Sequence, residues 1–197
     1  MSNVGICFGL IDDVYKVEQL IQEVLKSYDS SNIFLRPHPR EERVLFVKEM
    51  LAKYKIGFSD SKKEIVSDFL NNVECIIASE SNIHLEAILQ NIYSIYYQLT
   101  ENDRQKYDYY GFLSNKLVND FTEPNTLKEV LLKLKKNKPN VRSNAKYYNE
   151  TIESDFEGKS DVLYNEVISY IKSGNTDFID KTFNIENVNG VKVYSLR

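Results

Sequence analysis

Residue types that often build metal and redox sites are scarce in this chain. Its 197 residues include only two cysteines and two histidines. Cys7 and Cys75 both lie in apolar runs, and neither has the spacing to other cysteines or histidines that a zinc site requires. We therefore expect two buried free thiols, as in a reducing cytosol, with no bound metal and no cofactor.

Clusters of basic residues and long apolar runs are absent as well. The chain carries 25 Lys and Arg against 29 Asp and Glu, a net charge of −4, and the basic residues are spread along it. A nucleic-acid partner is therefore not expected. No apolar run approaches the roughly 20 residues that span a bilayer, and residues 1–4 lack the features of a signal peptide. We expect no transmembrane segment and a cytoplasmic location.

Hydrophobic residues make up 42% of the chain and charged residues 27%, which is typical of a globular domain. Short apolar runs alternate with segments whose apolar residues recur at helical spacing. This alternation favours an α/β fold, a doubly wound parallel sheet with helices on both faces. The apolar runs predict strands at 4–8, 32–35, 56–58, 73–78 and 92–97, with a sixth at 116–118. The helical spacing predicts helices at 13–27, 41–54, 62–71 and 82–91.

The chain changes character after residue 124. Asn189-Gly190 stands between two runs with β character, 183–185 and 191–194, and this dipeptide is a strong hairpin signal. We expect a Rossmann-like domain at 1–175 and a tail with a hairpin at 176–197. Further helices are predicted at 125–137, 143–155 and 158–172.

The first candidate site follows the predicted second strand, where the chain reads Arg36-Pro37-His38-Pro39-Arg40. The two prolines restrict the backbone and hold the histidine between two arginines. Ligands of doubly wound sheets bind at the carboxyl ends of the strands, which is where this segment lies. Arginine and histidine at such an edge suit an anionic ligand such as a phosphate. The alternative is an ordinary proline-rich strand exit with solvated charges.

A second candidate site follows the predicted fourth strand. Ser79 and Ser81 lie at a turn that opens a helix, where hydroxyl and backbone N–H groups can bind an anion. Glu86, one turn into that helix, can accept hydrogen bonds from ribose hydroxyls. The alternatives are that Ser81 only caps the helix and that Glu86 is solvated. We expect His84 on the flank of this helix.

The two candidate sites together resemble the motifs of a known group of enzymes. The segments Arg36–Pro39 and Ser79–Ser81, followed by Leu85–Ala87, resemble the His-Pro and Ser-type motifs of bacterial sialyltransferases and polysialyltransferases. Capsule Kdo-transferases and teichoic-acid glycerophosphotransferases carry similar elements. The resemblance covers residues 4–172, with Glu157–Ser160 before the last helix. It implies the C-terminal, donor-binding half of a GT-B glycosyltransferase, as found in capsule polysaccharide synthesis.

This resemblance implies a role for four residues. His38 would contact the donor phosphate and protonate the leaving group. Ser79 and Ser81 would bind phosphate oxygens, and Glu86 would hold the ribose. The partners implied are a CMP- or UDP-linked nucleotide sugar, with sialic acid from CMP as one case, and a glycan acceptor held by a further domain or a partner chain.

Positive charge for the leaving phosphate would come from Arg36 or Arg40. We favour Arg40, because Arg36 can still belong to the strand. The resemblance also implies catalysis without a metal, since GT-B enzymes generally stabilise the leaving phosphate with basic and N–H groups. The chain has no Asp-x-Asp element, which agrees with this expectation.

These enzymes have a catalytic base that we do not identify in this chain. In them the base is an acidic residue of a second domain, often followed by glycine, whereas Asp12-Asp13 is not followed by glycine. The chain would therefore be a fragment of a longer enzyme, work with a partner chain, or be a non-catalytic nucleotide-binding subunit. The polar and aromatic segment 99–115 would cover the base or sugar, or pack on the missing domain.

A receiver-like phosphoacceptor domain is a further alternative. Such domains also place paired acids after the first strand, as in Asp12-Asp13, an aspartate after the third, as in Asp60, and a hydroxyl after the fourth, as in Ser79. They need a lysine after the fifth strand, however, and this chain has Tyr96–Leu99 there. We therefore favour a transferase domain over a receiver domain.

Overall fold

Strands and helices alternate along residues 4–96. The computed structural model describes residues 3–100, 108–120, 124–174, 181–188 and 190–197. The strands are β1 (Val4–Phe8), β2 (Ile33–Pro37), β3 (Gly57–Phe58), β4 (Cys75–Ala78), β5 (Tyr93–Tyr96), β6 (Asn119–Asp120), β7 (Phe183–Val188) and β8 (Val191–Leu196). The α-helices are α1 (Val14–Leu25), α2 (Val44–Tyr54), α3 (Val66–Asn71), α4 (Ile83–Leu89), α5 (Pro124–Lys136) and α6 (Ser160–Ser173).

Six strands form one parallel sheet in the order β3-β2-β1-β4-β5-β6. The chain runs outward from β1 to β3, then returns to the other side of β1 with β4, so the strand order reverses between β1 and β4. This is the strand order of the Rossmann fold, in which ligands bind at the reversal point. A receiver domain has the order 2-1-3-4-5. The receiver alternative is therefore wrong, and the doubly wound parallel sheet is confirmed.

The core forms where apolar side chains of the sheet meet the flanking helices. Every residue of β1 and β4 is buried. Gly5 makes the packing of α3 on β1 possible, because a Cβ at this position would lie 2.5 Å from the ring of Phe69. The buried residues of α1 share one face of that helix and are Val17, Leu20, Ile21 and Val24.

Three predicted elements differ from the structure. The helix predicted at 62–71 begins only at α3, because Ile65 has an extended backbone with φ −67° and ψ 153°. The predicted sixth strand lies at Asn119–Asp120 and not at 116–118, since Leu117 and Val118 are buried within turns that precede the strand. In place of the helix predicted at 143–155 there is a 3₁₀ helix at Arg142–Tyr147, followed by turns.

The chain divides into two compact units, Met1–Asn144 and Ala145–Arg197. The first contains the parallel sheet. The second contains α6 and an antiparallel pair, β7 and β8, with Phe183 opposite Leu196 and Val188 opposite Val191. This pair confirms the terminal hairpin; Asn189 of its turn lies outside the described residues. The domain boundary near residue 175 stays a prediction. Among the described residues, no helix has both the length and the apolar character needed to cross a membrane.

Candidate functional site

A cleft of about 480 Å³ opens at the carboxyl ends of the central strands, at the point where the strand order reverses. Both predicted sites contribute to it: His38 and Pro39 from the loop after β2, and Ser79 and Ser81 from the turn after β4. The sequence-based expectation that these two segments share one pocket therefore agrees with the geometry. Other lining residues come from the β1–α1 loop, α3, α4 and the segment after β5, and include Leu10, Asp12, Val66, Ile83, Glu86 and Tyr110.

The floor of the cleft is closed by Asp12, which lies in the loop between β1 and α1. Its carboxylate accepts a hydrogen bond from the Gly9 backbone N–H at 2.7 Å and another from the Ser79 hydroxyl. Burial raises the pKa of Asp12, although the hydrogen bonds from Ser79 and Gly9 and the nearby charge of Arg43 act in the opposite direction. The carboxylate therefore joins the ends of β1 and β4.

The side chain of Arg43 hydrogen-bonds to the same loop. Its guanidinium donates to the backbone carbonyls of Gly9 and Asp12, each at 2.6 Å. It also donates to both oxygens of Glu41, at 2.7 and 2.5 Å. A single arginine thus satisfies two carbonyls of the β1–α1 loop while a carboxylate neutralises its charge.

His38 lies exposed at the rim of the cleft, with its backbone fixed against β1. Its N–H donates to the Phe8 carbonyl at 2.7 Å. The ring atom Nδ1 accepts a hydrogen bond from the Arg40 backbone N–H at 3.1 Å. Because a backbone amide can only donate, Nδ1 is the acceptor nitrogen, and the neutral ring carries its proton on Nε2. That N–H can donate to an oxygen of an anionic ligand.

The two predicted arginines differ sharply in their surroundings. Arg36 lines the cleft, but it is buried and its guanidinium is engaged with the Ser59 hydroxyl, the Glu64 carboxylate at 3.2 Å and the Glu64 carbonyl at 2.9 Å. It also lies over the ring of Phe69 at 4.8 Å. Arg40 is exposed and does not line the cleft. In this arrangement Arg36 supports the cleft wall, and Arg40 contributes its backbone N–H to His38.

The side chain of His84 hydrogen-bonds to the turn after β4. We expected this residue on the helix flank, but it is fully buried. Its Nε2 binds the Ser79 carbonyl at 2.7 Å and its Nδ1 the Ser94 hydroxyl at 2.6 Å. Burial lowers the pKa of His84 to about 4, which keeps the ring neutral near pH 7. His84 therefore positions the serine turn from within the core.

The hydroxyls of the serine turn have different partners. The Ser79 hydroxyl donates to Asp12, so its proton is already used within the protein. Ser81 accepts a long hydrogen bond of 3.4 Å from the Ile83 N–H, while the N-cap residue of α4 is Asn82. Ser81 is therefore not the helix cap that the sequence offered as an alternative. Its hydroxyl proton is the one that this turn can offer to a ligand.

Carboxylates give the cleft a second chemical character. Glu86 is half-buried and lines the cleft, and burial raises its pKa while the charge of Arg36 lowers it. Glu80 also lines the cleft, and burial raises its pKa as well. The cleft thus combines donors for an anion, at His38 and Ser81, with carboxylates suited to hydroxyl groups. A ligand that carries both a phosphate and sugar hydroxyls matches this combination.

Solved structures of the wall teichoic acid polymerase TagF have a similar fold. One, a histidine-to-asparagine variant soaked with CDPG for 15 minutes, aligns with a TM-score of 0.52 and 16% identity over 86% of this chain and 42% of that chain. Another, a histidine-to-alanine variant, aligns with a TM-score of 0.51 and 16% identity over 86% of this chain and 45% of that chain. At this identity the likeness shows the fold alone, and it confirms the Rossmann-like, GT-B-type fold.

This chain spans less than half of the TagF chains that it matches. No protein-family model matches the sequence, and no curated protein matches it either.

Two further observations concern metal ligands and thiols in the described part of the chain. No group of three or more His, Cys, Asp or Glu residues there could hold a metal ion. Cys7 and Cys75 are both buried and free, as expected. Cys7 borders the cleft, but burial raises the pKa of its thiol to about 12, so the thiolate is not formed at neutral pH.

Three residues of the site escaped the sequence analysis as contributors to the cleft. Asp12 was considered only as a catalytic base, which was set aside, and for the receiver alternative, and Arg43 has no motif around it. Both act through contacts with residues that are distant along the chain, which no local pattern reveals. Tyr110 belongs to the segment 99–115, whose length did indicate a functional loop. Residues 101–107 of that segment lie outside the described residues, whereas Tyr110 lines the cleft.

Proposed function

We propose that the cleft binds the nucleotide part of an activated donor, and that the chain is the donor-binding domain of a glycosyltransferase or a closely related transferase. The observation that carries the proposal is that His38, Ser81 and Glu86 line one cleft at the reversal point of a Rossmann-like sheet. These residues come from two segments that are more than 40 positions apart in the sequence. Their convergence supplies an N–H donor, a hydroxyl donor and a carboxylate to one ligand.

The proposed division of labour follows from the partners of each side chain. The Nε2–H of His38 and the hydroxyl of Ser81 donate to phosphate oxygens. Glu86 accepts hydrogen bonds from the ribose hydroxyls. As the bond between the transferred group and the phosphate oxygen breaks, negative charge grows on that oxygen, and His38 donates to it. Ser79, by contrast, is proposed to hold the turn in place through Asp12.

A cytidine nucleotide is the donor class that we propose, with a uridine nucleotide as the second choice. The support is the resemblance of the two motifs to those of sialyltransferases, together with the fold shared with TagF, of which a variant was soaked with CDPG. CMP-linked sialic acid and CDPG are therefore the natural donors to test. A role in the synthesis of a surface polysaccharide belongs to the same proposal.

Isothermal titration calorimetry with CMP, CDP and UDP tests the proposal. We expect saturable binding by the wild type and a loss of about tenfold or more in His38→Ala and Ser81→Ala, because each removes a hydrogen bond to a charged phosphate. Arg40→Ala is the matched control, because its side chain lies outside the cleft and its backbone N–H remains. No binding at millimolar nucleotide would rule the proposal out.

A non-catalytic nucleotide-binding subunit is the second candidate. In this case the cleft still holds the nucleotide through His38, Ser81 and Glu86, while another part of the protein or a partner chain supplies the acceptor and the catalytic base. It predicts nucleotide binding without turnover. Release of nucleotide from CMP-sialic acid or CDPG in the presence of an acceptor glycan, by this chain alone, would exclude it.

A further inference from the structure

One aromatic side chain at the cleft, Tyr110, has no role in the scheme above. It lines the cleft, and 41% of its surface is exposed. It belongs to the segment between β5 and β6, on the opposite side of β4 from β2 and β3. Arg36 and Ser61, which also line the cleft, come from that β2–β3 side. Tyr110 therefore marks the end of the cleft that faces away from Arg36.

The ring of Tyr110 is held in place by its surroundings. Its backbone N–H donates to the Glu80 carboxylate at 3.0 Å. The ring stacks on Phe112, with centroids 5.2 Å apart and an angle of 26° between the planes, and Tyr109 contacts it edge-on at 5.1 Å. Phe112 is itself buried against His84. A ring fixed in this way loses little conformational entropy when a ligand packs against it.

The position of Glu80 places this ring next to the proposed phosphate site. Glu80 lies between Ser79 and Ser81 in the sequence, so the contact that anchors Tyr110 is part of the serine turn itself. The proposed ribose ligand, Glu86, lies instead near Arg36, and the positive charge of Arg36 acts to lower the pKa of Glu86. A donor with its ribose at Glu86 and its phosphate at Ser81 would have its remaining group at the Tyr110 end.

We propose that Tyr110 is a specificity-determining residue whose ring packs against the group attached to the donor phosphate, a sugar or polyol. This inference rests on the proposed nucleotide site. An exposed aromatic ring offers an apolar surface to the C–H face of such a group. The Glu80 carboxylate acts as a positioning residue for the ring.

The test compares each nucleotide with its complete donor by calorimetry, using CMP with CMP-sialic acid and CDP with CDPG. We expect Tyr110→Ala to weaken the complete donor about three- to tenfold and to leave the free nucleotide within about twofold. Tyr110→Phe is expected to restore most of the affinity for the donor. Tyr15→Ala, at a more exposed tyrosine on α1 outside the cleft lining, is the control and should change neither value.

Three outcomes would overturn the inference. Equal weakening of nucleotide and complete donor would place the ring at the nucleotide end or show a general loss of structure. An unchanged affinity for both would show that the ring contacts neither. Retention of full donor affinity in Tyr110→Ala but loss in Glu80→Ala would assign the role to the carboxylate. If the wild type binds no nucleotide at all, the proposed function itself fails, and that result is distinct from these three.

Discussion

The carboxylate of Asp12 and the hydroxyl of Ser79 form a hydrogen bond across the point where the strand order reverses. Asp12 follows β1 and Ser79 follows β4, and the two strands pair in parallel. The bond therefore lies at the floor of the crevice in which ligands of such sheets bind. It also consumes the hydroxyl proton of Ser79, and this leaves the hydroxyl of Ser81 as the donor of the turn.

The Asp12–Ser79 bond should contribute measurably to stability. Ser79→Ala leaves a buried carboxylate oxygen without its partner, and we expect the free energy of unfolding to fall by about 1–3 kcal/mol. Urea denaturation followed by circular dichroism measures this change. Ser67→Ala on α3 is the matched control and should stay within about 0.5 kcal/mol of the wild type. An equal effect in both variants would contradict the role given to the bond.

Substitution of the buried Arg36 should lower the stability of the fold, whereas substitution of the exposed Arg40 should not. Arg36→Met removes one partner of the Ser59 hydroxyl and of Glu64, which keep their hydrogen bond to each other, so we expect a loss of about 3 kcal/mol in the free energy of unfolding. Arg40→Met should leave stability unchanged, because its side chain is exposed. Chemical denaturation of both variants measures the two changes in the free energy of unfolding. A large loss of nucleotide affinity in a stable Arg36→Met variant would instead support direct phosphate binding by Arg36.

His84 should make stability depend on pH. Its pKa falls from the usual 6.5 to about 4 in the folded state, because burial disfavours the charged ring. The stabilisation is therefore complete above pH 6.5 and is lost as the pH falls toward 4, by on the order of 3 kcal/mol. Urea denaturation of the wild type and of His84→Gln across this range measures the difference. Parallel pH profiles for the two proteins would contradict the prediction.

Nucleotide binding should be accompanied by proton uptake. Burial raises the pKa values of Asp12, Glu80 and Glu86, and a bound phosphate beside these carboxylates would favour their protonated forms further. Affinity should therefore increase as the pH falls toward the usual carboxyl values of 3.8 and 4.5. Calorimetry at pH 5.5 and 7.5, in buffers of different ionisation enthalpy, counts the protons taken up. Glu86→Gln should reduce that number, and proton release would contradict the prediction.

Local patterns were sufficient for the fold class and for most elements. Strands β1, β4 and β5 follow from short apolar runs, and α1 follows from apolar residues at helical spacing. The failures arise where burial and backbone geometry are decided by distant residues. Leu117 and Val118 look like a strand because they are apolar, but they are buried within turns. Val44, an apolar residue of the predicted helix 41–54, is 52% exposed at the start of α2.

The candidate site was partly visible in the sequence for a topological reason. In a parallel doubly wound sheet all carboxyl ends lie on one edge, so the segments around His38 and Ser81 had to lie at the same edge once the alternation of strands and helices was recognised. What each side chain does there was not visible. The engagement of Arg36 with Glu64, and of Ser79 with Asp12, depends on pairs that are more than 25 residues apart in the sequence.

Composition and periodicity by themselves therefore determined that this chain folds as a parallel α/β sheet with two polar segments at its carboxyl edge, because strand and helix periods are local properties. Only the tertiary structure decided which polar groups are already paired and which face the cleft. Burial and hydrogen bonding depend on neighbours brought together by folding, and those neighbours turned His84 into a core residue and placed Tyr110 at the cleft.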